Sequence, residues 1–359
     1  MSLREDMKLI CKRAEMKNLD VVLKKWGAFL KSKGEDDYLT IYVHIPFCAS
    51  RCRYCGYSSS VLKDGSQIDG YLKLIAKEMS LFSPVFRGAK ISSLYVGGGT
   101  PSIMSIDQMK RLFEHIQSNF ELDVCADNMF SIETHPGDLD TEKIDFFADS
   151  FINRVSIGVQ SFDEAVLKAE RRVNPPVESI LFLLEYLSAR FKSHKSLYSI
   201  NVDLMLGLHR ESRDSIQRGL EILSDMDLTR ITLYASRQKR TNAEQKKFEE
   251  YVVSSVRYFS SCLTKYYLTH SDLDAFYETN EFYHKGIKKG FHKWYCPIPS
   301  LYNNNIGFGP SESFIIPLEF FYTKVPDGYK IADHCGISDH FKAARDARGK
   351  PSKGDVWAL

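Results

Sequence analysis

The sequence lacks any long apolar run, and it lacks a strong excess of charge of either sign. No stretch approaches the roughly 18 apolar residues that suggest a membrane-spanning helix. Residues 1–17 alternate charged and apolar residues without an apolar core of signal-peptide length, which predicts a cytoplasmic protein with no membrane partner. The formal net charge of +2 gives no electrostatic reason to expect nucleic acid as a partner.

Cysteine is too sparse and too uneven for a disulfide framework. The chain has eight cysteines in 359 residues, whereas disulfide scaffolds are short chains with denser cysteine. Three of the eight lie together in Cys48-Ala-Ser-Arg-Cys52-Arg-Tyr-Cys55, and the other five are scattered. One tight group with scattered single residues is typical of a reduced compartment and of a metal site.

The apolar pattern predicts alternating strands and helices. Strand-like runs lie at 40–45, 91–96, 129–133, 154–160, 200–205 and 230–235. Helical runs follow them at 67–82, 105–119, 140–149, 163–170, 176–190, 213–225 and 242–264. This alternation predicts an α/β fold with a parallel sheet, as a partial (β/α)6 TIM-like barrel two units short of closure. An open doubly wound sheet is the alternative.

Two flanking segments complete the predicted domain organisation. Residues 1–38 are expected to form an N-terminal helical extension, with one or two charged helices, and residues 39–265 the barrel. Residues 266–359 are less regular and rich in aromatic residues, which predicts a small C-terminal module that covers the substrate. No internal repeat is present.

The cysteine triplet predicts an iron–sulfur site. A 4Fe–4S cluster is usually held by four cysteine thiolates. Here only three are close together, which would leave one iron open to a small molecule. Zinc is the alternative, because it prefers a closed tetrahedron and His44 is a candidate fourth ligand. Spacing alone favours the cluster.

Further motifs follow the cysteines in order along the chain. They are Gly97-Gly-Gly-Thr-Pro101, Ser131-Ile-Glu-Thr-His135, Arg154-Val-Ser-Ile-Gly-Val-Gln-Ser-Phe162, Val202-Asp-Leu-Met-Leu-Gly207, Tyr277-Glu-Thr-Asn280 and Gly307-Phe-Gly-Pro-Ser311. With Tyr42-Val-His-Ile-Pro-Phe-Cys48, this set resembles the oxygen-independent coproporphyrinogen III oxidase-like family of the radical S-adenosylmethionine (SAM) superfamily. The resemblance covers about residues 40–315. Most of these motifs lie at the carboxyl ends of predicted strands. The active sites of parallel β/α folds lie at the same end of the strands.

The resemblance implies both cofactors of this superfamily. Cys48, Cys52 and Cys55 would hold a 4Fe–4S cluster, and SAM would bind beside it. The residues that the resemblance assigns to SAM are Tyr42, Tyr54, Gly98, Gly99, Thr100, Glu133, Gln160, Arg172, Asp203, Ala235 and Ser313.

Some of these residues have implied roles, and each also has a simpler interpretation. Arg172 would bind the SAM carboxylate, although its sequence context also suits a solvated helix residue. Gln160 and Asp203 would bind ribose hydroxyls, and a carboxylate at 203 within an apolar run is costly unless it is paired. Tyr54 would lie beside adenine or simply pack in its loop, and Gly97–Gly99 suit either a ligand or a tight turn.

Three departures from the family pattern argue against a porphyrin substrate. Tyr57 stands where the oxidase has a further cysteine, and Glu312 stands where a small residue is typical. Only 45 residues follow Phe314, so the usual C-terminal domain is expected to be shortened. Two branches of the family fit these features. One contains methyltransferases that use two SAM molecules, and it is the favoured branch; the other contains a heme chaperone.

The predicted function is therefore radical SAM chemistry, in which SAM is cleaved to a 5′-deoxyadenosyl radical. A second SAM, with Tyr42, Gly98 and Glu133 among its contacts, would provide the carbon added to an sp2 carbon of a small metabolite. Oxidative decarboxylation of coproporphyrinogen III and heme chaperoning without catalysis are the alternatives. The expected partners are a small-molecule substrate and an electron donor such as a reductase, flavodoxin or ferredoxin.

Overall fold

The computed structural model describes most of the chain between residues 15 and 333. The described residues are 15–32, 39–124, 128–196, 198–226, 228–268, 273, 276, 279–286, 304–308, 313–316, 320–325 and 328–333. In 15–17, 304–305 and from 313 onward, the description is of the backbone alone. Parts of the sequence motifs at 277–280 and 307–311 lie outside the described residues.

The secondary structure follows the predicted alternation. The strands are β1 Glu15–Lys17, β2 Leu39–Ile45, β3 Phe47–Cys48, β4 Ser60–Val61, β5 Lys90–Ile91, β6 Ser93–Gly98, β7 Glu121–Leu122, β8 Met129–Thr134, β9 Arg154–Gln160, β10 Ser199–Leu206, β11 Arg230–Ala235, β12 Tyr266–Leu268, β13 Thr279–His284, β14 Asn304–Phe308, β15 Ser313–Ile316, β16 Phe320–Val325 and β17 Gly328–Asp333. The helices are α1 Leu19–Ser32, α2 Ser66–Phe86, α3 Ile106–Asn119, α4 Thr141–Asp149, α5 Glu164–Ala169, α6 Val177–His194, α7 Arg213–Asp225 and α8 Asn242–Cys262, with a 3₁₀ turn at Pro101–Ile103. No described helix combines the length and the apolar character that crossing a bilayer would need.

The main sheet confirms the predicted partial barrel. Its described strands lie in the order β12-β13-β11-β10-β9-β8-β6-β2-β14. Pairing is parallel from β14 to β11, and it is antiparallel between β11 and β13 and between β13 and β12. Each connection between successive parallel strands from β2 to β11 contains at least one helix, as βαβ units require. Among the described strands the order has two ends, so the sheet is not closed.

The parallel strands alternate between apolar and polar side chains. In β2, Ile41 and Val43 are fully buried in the main hydrophobic core, which also includes residues of α2 and α3. Between them, Tyr42 packs with Tyr95 of β6 in a separate cluster. Successive side chains of a strand point to opposite faces, so the sheet has an apolar outer face against the helices and a polar inner face. That inner face suits a polar ligand.

Local sequence signals explain where several helices begin. Ser105 and Thr241 each form a capping box, in which the side chain accepts a hydrogen bond from a backbone N–H three residues later. Asp140 caps α4 in the same way by accepting from the N–H of Lys143. These caps place the observed starts within one residue of the predicted ones.

The N-terminal segment departs from the helical expectation at Glu15–Lys17. These residues form β1, which pairs antiparallel with β17 in a second sheet of order β1-β17-β16-β15. The local spacing favours a helix, but pairing with a strand distant in sequence satisfies the backbone groups instead. A helix does follow at Leu19–Ser32, where Trp26 is fully buried.

Three strands after α8 extend the main sheet. β12 and β13 continue its antiparallel edge, whereas β14 lies beside β2 with Gly307 opposite Tyr42. Phe308 packs against Phe82 of α2 and Phe120, at ring centroid distances of 5.7 and 5.5 Å. These strands therefore extend the main sheet at both of its edges. The domain boundary at residue 265 stays a prediction.

Candidate functional site

The three clustered cysteines follow β2, at the carboxyl end of the parallel strands. Cys48 ends the short strand β3, and Cys52 and Cys55 lie in the loop after it; we call this segment the cysteine loop. The Cys48 carbonyl accepts a hydrogen bond from the N–H of Leu62 (2.9 Å), and the Cys52 carbonyl accepts one from Cys55 (3.3 Å). All three are free, partly exposed thiols. Burial raises the pKa of the Cys55 thiol, and the nearby Cys52 and Cys48 add to this rise. The thiols are therefore close neighbours that can serve as ligands once they are deprotonated.

His44 is poorly placed to complete a zinc site. Its Nδ1 lies 3.0 Å from the Tyr42 hydroxyl, and its Nε2 lies 2.8 Å from the Ser58 carbonyl oxygen. Both ring nitrogens thus already contact protein atoms. Across the described part of the chain, no three His, Cys, Asp or Glu side chains are arranged to hold a single metal ion. The donor set fits an iron–sulfur cluster with an open corner better than it fits zinc.

The glycine run at the end of β6 packs against the cysteine loop. The N–H of Gly99 donates to the Ile45 carbonyl and the N–H of Thr100 donates to the Phe47 carbonyl, both at 2.8 Å. The Thr100 hydroxyl also lies 3.4 Å from Cys48 Sγ. A side chain at position 99 has no space, because its Cβ would lie 2.6 Å from the Phe47 carbonyl oxygen and 2.9 Å from Cys48 Sγ. The run therefore serves a close approach between two backbone segments.

Substituting Gly99 by alanine is expected to displace this loop. The added Cβ meets a backbone oxygen and a proposed cluster ligand, so overpacking should lower the free energy of unfolding by about 1–3 kcal/mol. Iron content per chain after anaerobic reconstitution should fall with it. Gly56→Ala is the matched control, since nothing lies within 4 Å of its Cβ position. Equal behaviour of the two variants in thermal unfolding and iron content would contradict this account.

Arg172 is a buried side chain that binds the cysteine loop, and not a solvated helix residue. Its side chain is 8% exposed, and Nη1 lies 3.2 Å from the Tyr54 hydroxyl and 3.6 Å from Cys52 Sγ. Nη2 donates to the Gly158 carbonyl and Nε donates to Asn174 Oδ1 (3.1 Å). These contacts fix a guanidinium beside the loop, where it can meet an anionic group.

Two titratable groups near Arg172 are uncharged at neutral pH. Burial raises the pKa of the Tyr54 phenol, although the Arg172 guanidinium opposes the rise. Burial, with Arg172 nearby, lowers the pKa of His135 to about 3. Neither group cancels the positive charge of Arg172.

Two carboxylates lie on the inner face of the sheet. Glu133 accepts hydrogen bonds from the Tyr95 hydroxyl (2.5 Å) and from the N–H of Gly98 (3.0 Å). Asp203 accepts from the Ser156 hydroxyl (2.8 Å) and from Asn201 Nδ2 (2.7 Å). Burial raises the pKa of both carboxyl groups, and Asp203 adds to the rise at Glu133. These hydrogen bonds fix the positions of both carboxyl groups. A bound ligand with a positive charge or hydrogen-bond donors would stabilise their charged forms.

These raised pKa values predict a pH dependence of stability. When the pKa of a carboxyl group is higher in the folded protein than in the unfolded protein, its protonated form stabilises the fold. This contribution to the free energy of unfolding is fully present below the pKa that the group has in the unfolded protein. That contribution is lost as pH rises through the folded pKa, so the ligand-free protein should weaken above about pH 4–5 through Glu133 and Asp203. The variant Glu133→Gln should flatten this part of the curve of melting temperature against pH. Exposed Glu185→Gln is the control, and an unchanged slope in Glu133→Gln would refute the prediction.

Gln160 has an unusual backbone and an unsatisfied acceptor. It adopts a positive φ of 70° at the end of β9, and the pairing of β9 with β10 shifts register between Asp203 and Leu204. Such irregularities re-aim side chains and occur often beside active sites. Gln160 Oε1 is buried, and no residue that the structure describes gives it a hydrogen bond. A ligand hydroxyl would satisfy it, which is the role expected for this residue.

The remaining assigned residues are less tightly connected to the site. Tyr42 stacks on Tyr95 with ring centroids 6.1 Å apart. Ala235 ends β11 beside Leu206 and is 6% exposed. Ser313 begins β15 in the second sheet, and its side chain lies outside the description. The cysteines, Tyr54, Gly98, Gly99, Thr100, Glu133 and Arg172 are therefore linked by described contacts, whereas Ala235 and Ser313 are linked to them only through the fold.

Several residues that shape the site were not identified from the sequence. Tyr95, Ser156 and Asn201 position the two carboxylates, and Glu170 binds His209 through contacts of 2.7 and 2.8 Å. Tyr95, Ser156 and Asn201 lie at alternate positions of otherwise apolar strands. This alternation is the sequence pattern that could have identified them as residues of the inner face. Nothing in the local sequence of Glu170 distinguishes it from a surface residue.

Comparison with known proteins gives the family. The family model described as the Radical SAM superfamily matches residues 42–223, just over half of the chain. The matched segment includes the cysteine loop, the glycine run, both inner carboxylates and Arg172. This chain belongs to the radical SAM superfamily. Members of this superfamily use a 4Fe–4S cluster and SAM, so these are its cofactors.

Curated relatives match about half of the chain. It is 34% identical over 194 residues to the heme chaperone HemW of Lactococcus lactis, covering 54% of this chain and 48% of that protein. It is 30% identical over 198 residues to the oxygen-independent coproporphyrinogen III oxidase of Escherichia coli, covering 55% and 41%. The chain thus spans about half the length of the curated relatives that it matches. The expected family resemblance is confirmed, but the preference for a methyltransferase branch is not.

A solved structure confirms the fold over nearly the whole chain. Coproporphyrinogen III oxidase (HemN) from Escherichia coli, described as a radical SAM enzyme, matches with a TM-score of 0.69 at 20% identity. The match covers 95% of this chain and 74% of that one. At this identity, the similarity establishes the radical SAM α/β fold and not a shared reaction.

Proposed function

We propose that this chain holds the cluster through Cys48, Cys52 and Cys55 and cleaves SAM reductively. The observation that carries the proposal is the contact of buried Arg172 with Cys52 and Tyr54, which places an anion-binding group beside the cysteine loop. When bound, the cluster supplies one electron that breaks the sulfonium C–S bond of SAM, giving methionine and a 5′-deoxyadenosyl radical. The protein contributes binding, orientation and the exclusion of water.

The surrounding side chains are proposed to bind the parts of SAM. Arg172 would bind the carboxylate, and Glu133 with the backbone of Gly98 would bind the ammonium. Gln160, through its unsatisfied Oε1, and Asp203 would accept hydrogen bonds from ribose hydroxyls. Orientation must be tight, because a primary carbon radical takes hydrogen from any close C–H bond.

Tetrapyrrole chemistry is the proposed context for this activity. The relatives at 30–34% identity are named as a coproporphyrinogen III oxidase and a heme chaperone, which supports this context more than methyl transfer to a small metabolite. In the enzyme version, the 5′-deoxyadenosyl radical would take a hydrogen atom from a propionate side chain of a porphyrinogen, giving 5′-deoxyadenosine. Loss of carbon dioxide and transfer of one electron to an external one-electron acceptor would then leave a vinyl group. Methyl transfer with a second SAM at Tyr42, Gly98 and Glu133 has less support.

A heme chaperone is the second candidate. The 34% identity to HemW of Lactococcus lactis favours it, and it would use the same cluster site without turning over a substrate. Heme binding and SAM cleavage are separable properties, so one set of assays can distinguish the candidates.

Anaerobic incubation of the reconstituted chain tests the proposal. With SAM and dithionite, the enzyme should release 5′-deoxyadenosine, and added coproporphyrinogen III should lose mass as carbon dioxide. S-adenosylhomocysteine as a co-product would indicate methyl transfer instead. Tight heme binding, seen as a Soret band, together with no 5′-deoxyadenosine would favour the chaperone. Absence of iron and sulfide after reconstitution would refute the site itself.

A further inference from the structure

The buried residue Glu170 joins the cysteine loop to three other loops. Glu170 is 0% exposed, and its backbone carbonyl accepts a hydrogen bond from the N–H of Arg53 (2.9 Å). Its Oε1 accepts from the backbone N–H of His209 (2.7 Å), lies 2.8 Å from His209 Nδ1, and lies 3.3 Å from Gln238 Nε2. The cysteine loop, the loop after α5 and the loops after β10 and β11 therefore meet at one residue.

Each of these loops brings an exposed basic residue to this junction. We call the group of Arg53, Arg171, Arg210 and Lys239 the basic rim, and all four are exposed. Each either contacts Glu170 itself or is the chain neighbour of Glu170 or of a residue that contacts it. The junction thus brings the backbone of four basic residues close to the cysteine loop.

The charge of this region differs from that of the whole chain. In segments 51–55, 168–173, 207–210 and 236–240, nine residues are Lys or Arg, and the one acidic residue, Glu170, is fully buried. The entire chain has a formal net charge of only +2. Positive charge is therefore concentrated here, with no exposed carboxylate in these segments to offset it.

Two of these arginines also have a strained backbone. Arg171 has a φ of 55° and Arg210 a φ of 64°, in the left-handed region that residues other than glycine rarely adopt. Such conformations cost of order 1 kcal/mol or more and persist where the surroundings impose them. Here the flanking Glu170 and His209 are held by their mutual contacts. The positions of the two arginines are thus imposed by the junction.

We infer that the basic rim is the docking surface for an acidic electron-carrier protein with a flavin centre. The inference rests on the proposed function, because SAM cleavage consumes one electron that must come from outside the chain. The carrier would be oxidised by one electron and the cluster reduced by one. Arg53 is adjacent to Cys52, so a partner bound here places its redox centre near a cluster ligand, and its negative surface would complement the rim.

Charge reversal on the rim tests the inference by direct binding. The triple variant Arg53→Glu, Arg171→Glu, Arg210→Glu is compared with the wild type for binding oxidised flavodoxin, an acidic flavoprotein, by calorimetry at two salt concentrations. The variant should bind at least about ten-fold more weakly, and wild-type binding should weaken with salt. The matched control reverses three exposed lysines on α2 and α3, Lys73→Glu, Lys77→Glu and Lys110→Glu, and should bind as the wild type does.

Comparing flavodoxin with dithionite as the electron donor distinguishes a defect in partner binding from a defect in SAM cleavage. With reduced flavodoxin, the triple variant should form 5′-deoxyadenosine at least about ten-fold more slowly, whereas with dithionite it should match the wild type. The inference would be overturned if the triple variant bound flavodoxin as tightly as the wild type does. It would also be overturned if the lysine control lost as much flavodoxin affinity as the triple variant. Loss of the dithionite rate in the rim variant alone would also overturn it and indicate that the rim serves SAM or substrate. If the wild type fails with dithionite, the proposed function fails, and the binding comparison still decides the docking surface.

Discussion

Replacing Cys52 by alanine should abolish cluster binding and lower SAM cleavage by at least about a thousand-fold, because two thiolates cannot hold the cluster that three are needed to anchor. Cys52 is partly exposed, and its described side-chain contacts are with Arg172 and Tyr54. The free energy of unfolding of the cluster-free protein should therefore change by less than about 1 kcal/mol. The measurements are iron and sulfide per chain after anaerobic reconstitution, and 5′-deoxyadenosine formed with dithionite.

Cys262 provides the matched control for this experiment. It is also a free, partly exposed thiol, but it lies at the end of α8 and outside the cysteine loop. Cys262→Ala should keep the wild-type iron content and rate. A Cys52→Ala protein that still holds a full cluster would show that the fourth corner is closed by another ligand, and the proposed open coordination site would then be lost.

Replacing Arg172 by alanine should weaken SAM binding and lower kcat/KM for SAM cleavage by about a hundred-fold, because the proposed anchor for the SAM carboxylate is lost. The substitution also removes the donors to Tyr54 and to the Gly158 carbonyl, which should cost about 1–3 kcal/mol of stability. Lysine at this position keeps the charge but loses the fixed fork of donors, so Arg172→Lys should recover only part of the affinity.

The neighbouring Arg171 is the control for Arg172. It is exposed whereas Arg172 is 8% exposed, although the two residues are adjacent in the same short motif. With dithionite as the reductant, Arg171→Ala should cleave SAM at the wild-type rate. If the two alanine variants have the same dissociation constant for SAM on the reconstituted protein, then Arg172 does not bind the cofactor.

Local sequence patterns predicted most of the barrel. Six of the seven described parallel strands of the main sheet, with their helices, occur where the apolar periodicity predicts them, because that periodicity directly reflects one buried face. The same rule applies to the polar residues at alternate strand positions, such as Tyr95, Ser156 and Asn201, although none of them is among the predicted site residues. Strand β1 could not be found in this way, because its partner β17 lies near the other end of the chain.

By itself, the sequence determined the alternation of strands and helices and the cysteine loop, because each is a local pattern along the chain. The resemblance of its ordered motifs gave the radical SAM family. The tertiary structure decided which side chains surround that loop. The burial of Arg172 against Cys52, the unsatisfied acceptor of Gln160 and the junction at Glu170 all depend on strand register and on residues far apart in sequence. Such contacts arise only when separate strands are aligned, so no single segment of the sequence encodes them.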